Sequence, residues 1–187
     1  MWNIEIFRPA SGEARTVAVS LREVVCRNEL ASSRLPDFVT LSSLFGKRCL
    51  PFREHRVESF ASRIYEVLRK RGERQIIIFE NPLYEGSSQY IAEINLENRN
   101  ETRSLINENL FEGGYVLVTT TQAFRWIGNF TDYGFMFTDE SVIKEIFQAA
   151  PLTIYNTASA EFRMSEGNDL LLDAEIRKMD RLWSAEQ

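Results

Sequence analysis

Histidine is all but missing from this chain: His55 is the only one in 187 residues. A single imidazole rules out, within one chain, a metal site built on two histidines and the HExxH arrangement. A Ser-His-Asp or Cys-His relay would have to run through His55, which stands among Arg53, Glu54 and Arg56 at the start of a basic stretch. An ordinary polar residue at a helix end is the expectation there. Cysteine is scarce too, and Cys26 and Cys49 form no CxxC pair, so both are expected to be small buried thiols. Neither GxGxxG nor GxxxxGK occurs, and "FGKR" at 45–48 lacks the earlier glycine of a phosphate-cradling loop. The apolar runs "GGYVLVTTTQAF" and "IFQAAPLTIYNTASA" fall short of the ~20 residues a membrane helix needs. "MWNIEIFRPASGEARTV" shows no basic start followed by an apolar run, so a cytoplasmic chain without membrane attachment is expected. No catalytic residue, metal site or cofactor is assigned.

What is present is an ordinary globular composition, 44% hydrophobic and 26% charged. The net charge of −5 hides a division. Residues 1–46 are balanced, residues 47–74 carry nine basic and four acidic groups, and residues 80–187 carry eight and eighteen. Arginine supplies 18 of the 22 cations, and its planar fork suits carboxylate pairing within the chain or with a partner. As a nucleic-acid site the basic block is a poor match. Glu54, Glu58, Glu66 and Glu73 interrupt it, and Glu66 precedes Lys70 by four, the favoured spacing for a helical ion pair.

Local patterns predict the elements. "WNIEIF" and "ARTVAVS" around "RPASGE" suggest a first hairpin, and Ser20 with Glu23 suggests a capping box opening a helix over 21–32. "DFVTLSSLFG" predicts a short helix stopped by Gly46. Val57, Phe60, Ala61, Ile64 and Leu68 make a helical stripe that ends at Gly72. "QIIIFE" predicts a buried strand, "QYIAEINLE" an alternating one with one wet face, and "LTIYNTA" a last strand. Residues 115–138 predict long strands turning at Gly128 and Asn129, with Thr138 capping the next helix. Phe124 and Trp126 are expected to share a face with Val116 and Val118. The fold class that follows is α+β, a mainly antiparallel sheet with helices packed on one face. A single compact domain over 1–157 is expected, then a polar connection and amphipathic C-terminal helix over 158–187, docked on the same domain.

"FRWIGNFTDYGFMFTDE" places six aromatic rings within residues 124–137. Alternation explains most of them as the inside of a hairpin. Arg125, Trp126, Asp132 and Tyr133 around the turn, with Asp139 and Glu140 at the following helix start, form the candidate binding set. "SVIK" at 141–144 matches SxxK, but the SDN and KTG companions are absent. In size and charge the chain is similar to toxin-neutralising immunity proteins. The resulting expectation is a non-enzymatic protein-binding module that meets a basic protein partner through its acidic half. The alternatives are a hydrolase using Asp or Glu carboxylates and an accessory subunit docking through its C-terminal helix.

Overall fold

The computed structural model describes residues 8–30, 35–83, 90–98, 114–129, 133–165 and 170–184. Among the described residues seven strands form one sheet: β1 (Arg8–Pro9), β2 (Arg48–Arg53), β3 (Gln75–Glu80), β4 (Ile91–Asn95), β5 (Tyr115–Thr119), β6 (Phe124–Asn129) and β7 (Tyr133–Thr138). Their order is β1-β4-β3-β5-β6-β7-β2, and every neighbouring pair is antiparallel. Six helices lie among the described residues: α1 (Gly12–Arg27), α2 (Phe38–Phe45), α3 (Glu54–Lys70), α4 (Glu140–Phe147), α5 (Pro151–Ser165) and α6 (Leu170–Ser184). The fold is α+β, as the sequence predicts.

Register divides the side chains between two faces. Cys49, Phe137, Arg125, Val118, Ile77 and Glu93 are cross-strand neighbours on the first face. Here Phe38 of α2 stacks on Phe135 at 3.4 Å, Phe45 meets Phe137 edge-on, and Phe162 of α5 reaches Phe135. Leu50, Met136, Trp126, Leu117, Ile78 and Ala92 line the second face. There Phe147 of α4 stacks on Phe52 and is met by Phe60 of α3. Helices therefore cover the second face as well as the first. Residues 76–80 are buried without alternation for this reason. The core runs without interruption from Ala14 to Trp183.

Several local expectations give way to tertiary packing. "ARTVAVS" is part of α1, whose buried Ala14, Ala18, Leu21 and Val25 recur at helical spacing, and Ser20 lies inside the helix rather than at its start. The residues of "WNIEIF" lie outside the described ones. "LTIYNTA" belongs to α5, with Pro151 at its first position, where a missing N–H costs nothing. That helix continues through residues 158–165, so the expected polar connection begins no earlier than 166. Asp139, not Thr138, is the residue before α4. β4 has no wet face, because Glu93 is buried against α1. Cys49 is buried but Cys26 is exposed. The helices ending at Gly46 and near Gly72 match expectation, and both glycines hold the left-handed φ that such stops require.

Ser11 joins the first helix to the sheet. Its hydroxyl accepts from the Ala14 N–H and donates to Glu93, while its own N–H donates to Glu93 Oε1 at 2.7 Å. Ser11→Ala removes the cap and one of the bonds satisfying a buried carboxylate. The expected loss is about 1–2 kcal/mol in urea unfolding. Unchanged stability would show that the α1 start is not held this way.

Candidate binding corner

Between β5 and β6 the chain turns sharply. Gln122 takes the left-handed conformation at φ 61°, its N–H bonded to Thr119 O, and the Thr119 hydroxyl receives the Phe124 N–H. This turn re-registers the hairpin, so Arg125 opposes Val118 and Trp126 opposes Leu117. The expected sharing of a face by Phe124, Trp126, Val116 and Val118 is thereby corrected. Phe124 and Trp126 point to the second face, while Phe135 and Phe137 point to the first. The aromatic rings within the described residues serve two halves of the core.

The six candidate residues separate in space. Trp126 is buried on the second face, its indole lying over Gly134 and beside Gly128, with Nε1 unpartnered among the described residues. Tyr133 belongs to β7 at the hairpin's far end, opposite Asn129 and Arg53, and Asp132 lies outside the described residues. Along a six-residue strand that end is about 17 Å from Thr138. Arg125, Asp139 and Glu140 gather at the near end. The α2 terminus, the Gln122 turn and the start of α4 meet there. Thr138 ties the corner together by donating to Ala123 O at 3.0 Å.

The charge division in the sequence finds its counterpart here. Lys47 Nζ lies 2.6 Å from Asp139, Arg48 Nε 2.7 Å from Glu140, and Arg71 grips Glu145 through Nε and Nη2. All three pairs join the basic middle block to the acidic second half. The Arg71 hydrogen bond holds the Glu145 carboxyl below its usual pKa. Such exposed pairs contribute little stability individually, but they fix which elements meet. Asp139 and Glu140 keep about half of their side-chain surface open, whereas Lys47 and Arg48 are mostly covered.

Arg125 differs from these cations. It is 6% exposed, with its guanidinium 4.1 Å from the Phe45 ring centroid and Nη2 donating to Gln122 Oε1 at 2.8 Å. Nε and Nη1 have no partner among the described residues. Burial alone pulls its pKa down, to about 10. A cation with a lowered folded pKa opposes folding while charged. That penalty is complete below pH 10 and fades only as pH climbs toward the guanidinium's ordinary value. Leu44, beside Phe45, is the most exposed large apolar residue among the described ones, at 59%.

Other ionisable groups have structural roles. Tyr155 donates to Asp180, which also binds Arg163, and the half-exposed Lys178 pairs with buried Glu175. Burial and then the Glu175 charge push the Cys49 thiol well up, which keeps it from acting as a thiolate nucleophile. Ser141 and Lys144 are both exposed on α4. Among the described residues no three His, Cys, Asp or Glu groups are placed to hold a metal ion, and no helix is long and apolar enough to cross a membrane. Sequence reasoning missed Phe45, Leu44 and Gln122. Phe45 and Leu44 close an unremarkable helix pattern, and only the turn geometry singles out Gln122. Compared with known proteins, the chain matches no family model, no curated protein and no solved structure.

Proposed function

We propose that this chain is a non-enzymatic, cytoplasmic protein-binding module that engages a protein partner at the corner formed by Leu44, Phe45, Gln122, Arg125, Asp139 and Glu140. One observation carries the reading: exposed Leu44 stands beside Phe45, whose ring faces the buried Arg125 guanidinium, and the next residues but one along the chain, Lys47 and Arg48, hold the half-open carboxylates of Asp139 and Glu140. Apolar and arginine anchors inside a polar rim are the usual anatomy of a protein interface. The half-open faces of Asp139 and Glu140 suit cations on a basic partner. Size and net charge are in keeping with an immunity or antitoxin role, in which such binding blocks the partner.

The test is capture from native extract by the tagged full chain beside its Leu44→Glu and Asp139→Asn/Glu140→Gln variants. All three are expected to fold. Wild type should retain a stoichiometric protein, Leu44→Glu should lose it, and the carboxylate variant should hold it with weaker salt dependence. Equal retention by all three would move the interface elsewhere, and no retained protein would favour a different function class.

A further inference from the structure

We propose that Arg125 is a carboxylate-recognition residue, receiving an aspartate or glutamate side chain of the protein partner beside Gln122 and beneath Phe45. The source of the carboxylate rests on the binding-module reading; the site itself rests on three observations.

First, the guanidinium is buried with Nε and Nη1 unpartnered among the described residues, where its single side-chain hydrogen bond goes to a neutral amide. The Phe45 ring face offsets part of the burial cost, but a buried charge with no counter-ion is still among the most unfavourable groups a core can hold. Neither nearby acid pairs with it: Asp139 is engaged by Lys47, and Glu73, which accepts from the Thr121 hydroxyl through Oε1 and leaves Oε2 unpartnered among the described residues, makes no hydrogen bond with Arg125. Burial is the one influence that moves the Arg125 pKa, and no neighbouring charge offsets it. Second, the amide that does reach Arg125 belongs to Gln122, a non-glycine residue at φ 61° on an exposed turn. Left-handed backbone at a residue with a Cβ concentrates at sites of function. The exposed Gln122 side chain meets the guanidinium at Nη2. Third, the surroundings select the ligand. Lys47 and Arg48 are already paired with Asp139 and Glu140, so among the described residues of this corner a doubly charged phosphate meets one available cation. One carboxylate matches one guanidinium in charge and in geometry. Leu44 and Phe45 add an apolar rim that suits a protein side chain rather than a small free acid.

The experiment follows the Arg125 Nε–H resonance of 15N-labelled full-length protein, identified by its disappearance in Arg125→Lys. The probes are terminally blocked aspartate, blocked asparagine and inorganic phosphate at equal ionic strength. Blocked aspartate should shift the signal saturably and blocked asparagine should not. Gln122→Gly, which removes the competing amide and accepts the positive φ, should tighten the aspartate response several-fold. No aspartate response in either protein overturns the site. An equal response to phosphate overturns the carboxylate preference. A response to aspartate in a chain that captures no protein overturns the protein source, a failure distinct from that of the site. Arg125→Met should also raise the urea midpoint, because a buried charge without a counter-ion is removed while the apolar contact with Phe45 is kept. A lowered midpoint would make Arg125 a structural residue and end the proposal.

Discussion

Gly134→Ala is expected to lose about 3 kcal/mol or more, enough to leave a marginal domain largely unfolded. Gly134 lies directly across from Gly128 in the β6–β7 ladder, and the Trp126 indole fills the space above the pair. A Cβ on Gly134 would sit 2.6 Å from Trp126 Cε2 and closer still to Cζ2, while one on Gly128 would sit 3.0 Å from Nε1. The ring cannot retreat easily, because Trp126 is 1% exposed. Neither glycine is needed for an unusual φ; both are needed because a large aromatic ring takes the place of their side chains. Gly12→Ala is the control. It lies at the start of α1 with open space around its Cβ, and alanine there should be neutral or stabilising by a few tenths of a kcal/mol. Urea unfolding of both variants checks the pair. A Gly134→Ala loss under about 1 kcal/mol would mean the indole does not occupy this position. Adding Trp126→Leu to Gly134→Ala should recover part of the loss, since a smaller side chain frees the volume the methyl needs.

The same residues show what a sequence can and cannot convey. Elements whose own residues fix them were legible: α3 through its apolar stripe and nearby Gly72, α2 through Gly46, and β3 through a run of large apolar residues. α1 and α5 were obscured because Val, Thr, Ile and Tyr are frequent in strands, and packing overrode that preference. Yet Ala14, Ala18, Leu21 and Val25, and likewise Tyr155, Ala158 and Phe162, carried a helical spacing that the β-branched neighbours masked. For Arg125 the difficulty was of another kind. A charged residue between Phe124 and Trp126 suggests a strand whose alternate positions face water, and a core that buries an unpaired cation leaves no local trace. The ion pairs lay between these cases. No local pattern links Lys47 to Asp139, 92 residues away, but a basic block and an acidic half in one chain are what such pairing requires.

Trp183→Ala is expected to cost about 3–5 kcal/mol and to make the protein associate in a concentration-dependent manner. Among the described residues β2 is the outermost strand at its end of the sheet, and the backbone of an outer strand invites pairing with other chains. The Trp183 indole N–H donates to Cys49 O of that strand at 3.1 Å, and the ring stacks on Tyr155 at 4.8 Å while Arg48 covers it at 4.9 Å. Leu172, Ile176 and Met179 bury the same face of α6, so this face is already spent on the chain's own core. An accessory role in which that face docks on another molecule would require undocking it first. Trp183→Phe separates the contributions. It keeps most of the buried ring and loses the hydrogen bond, with an expected cost of about 1–2 kcal/mol and no association. Urea unfolding with sedimentation analysis reads both effects. Wild-type stability in Trp183→Ala would place the C-terminal helix off the sheet in solution. Full loss with no association would show that α5, which also packs on β2, is enough to guard it, and that Trp183 acts through packing alone.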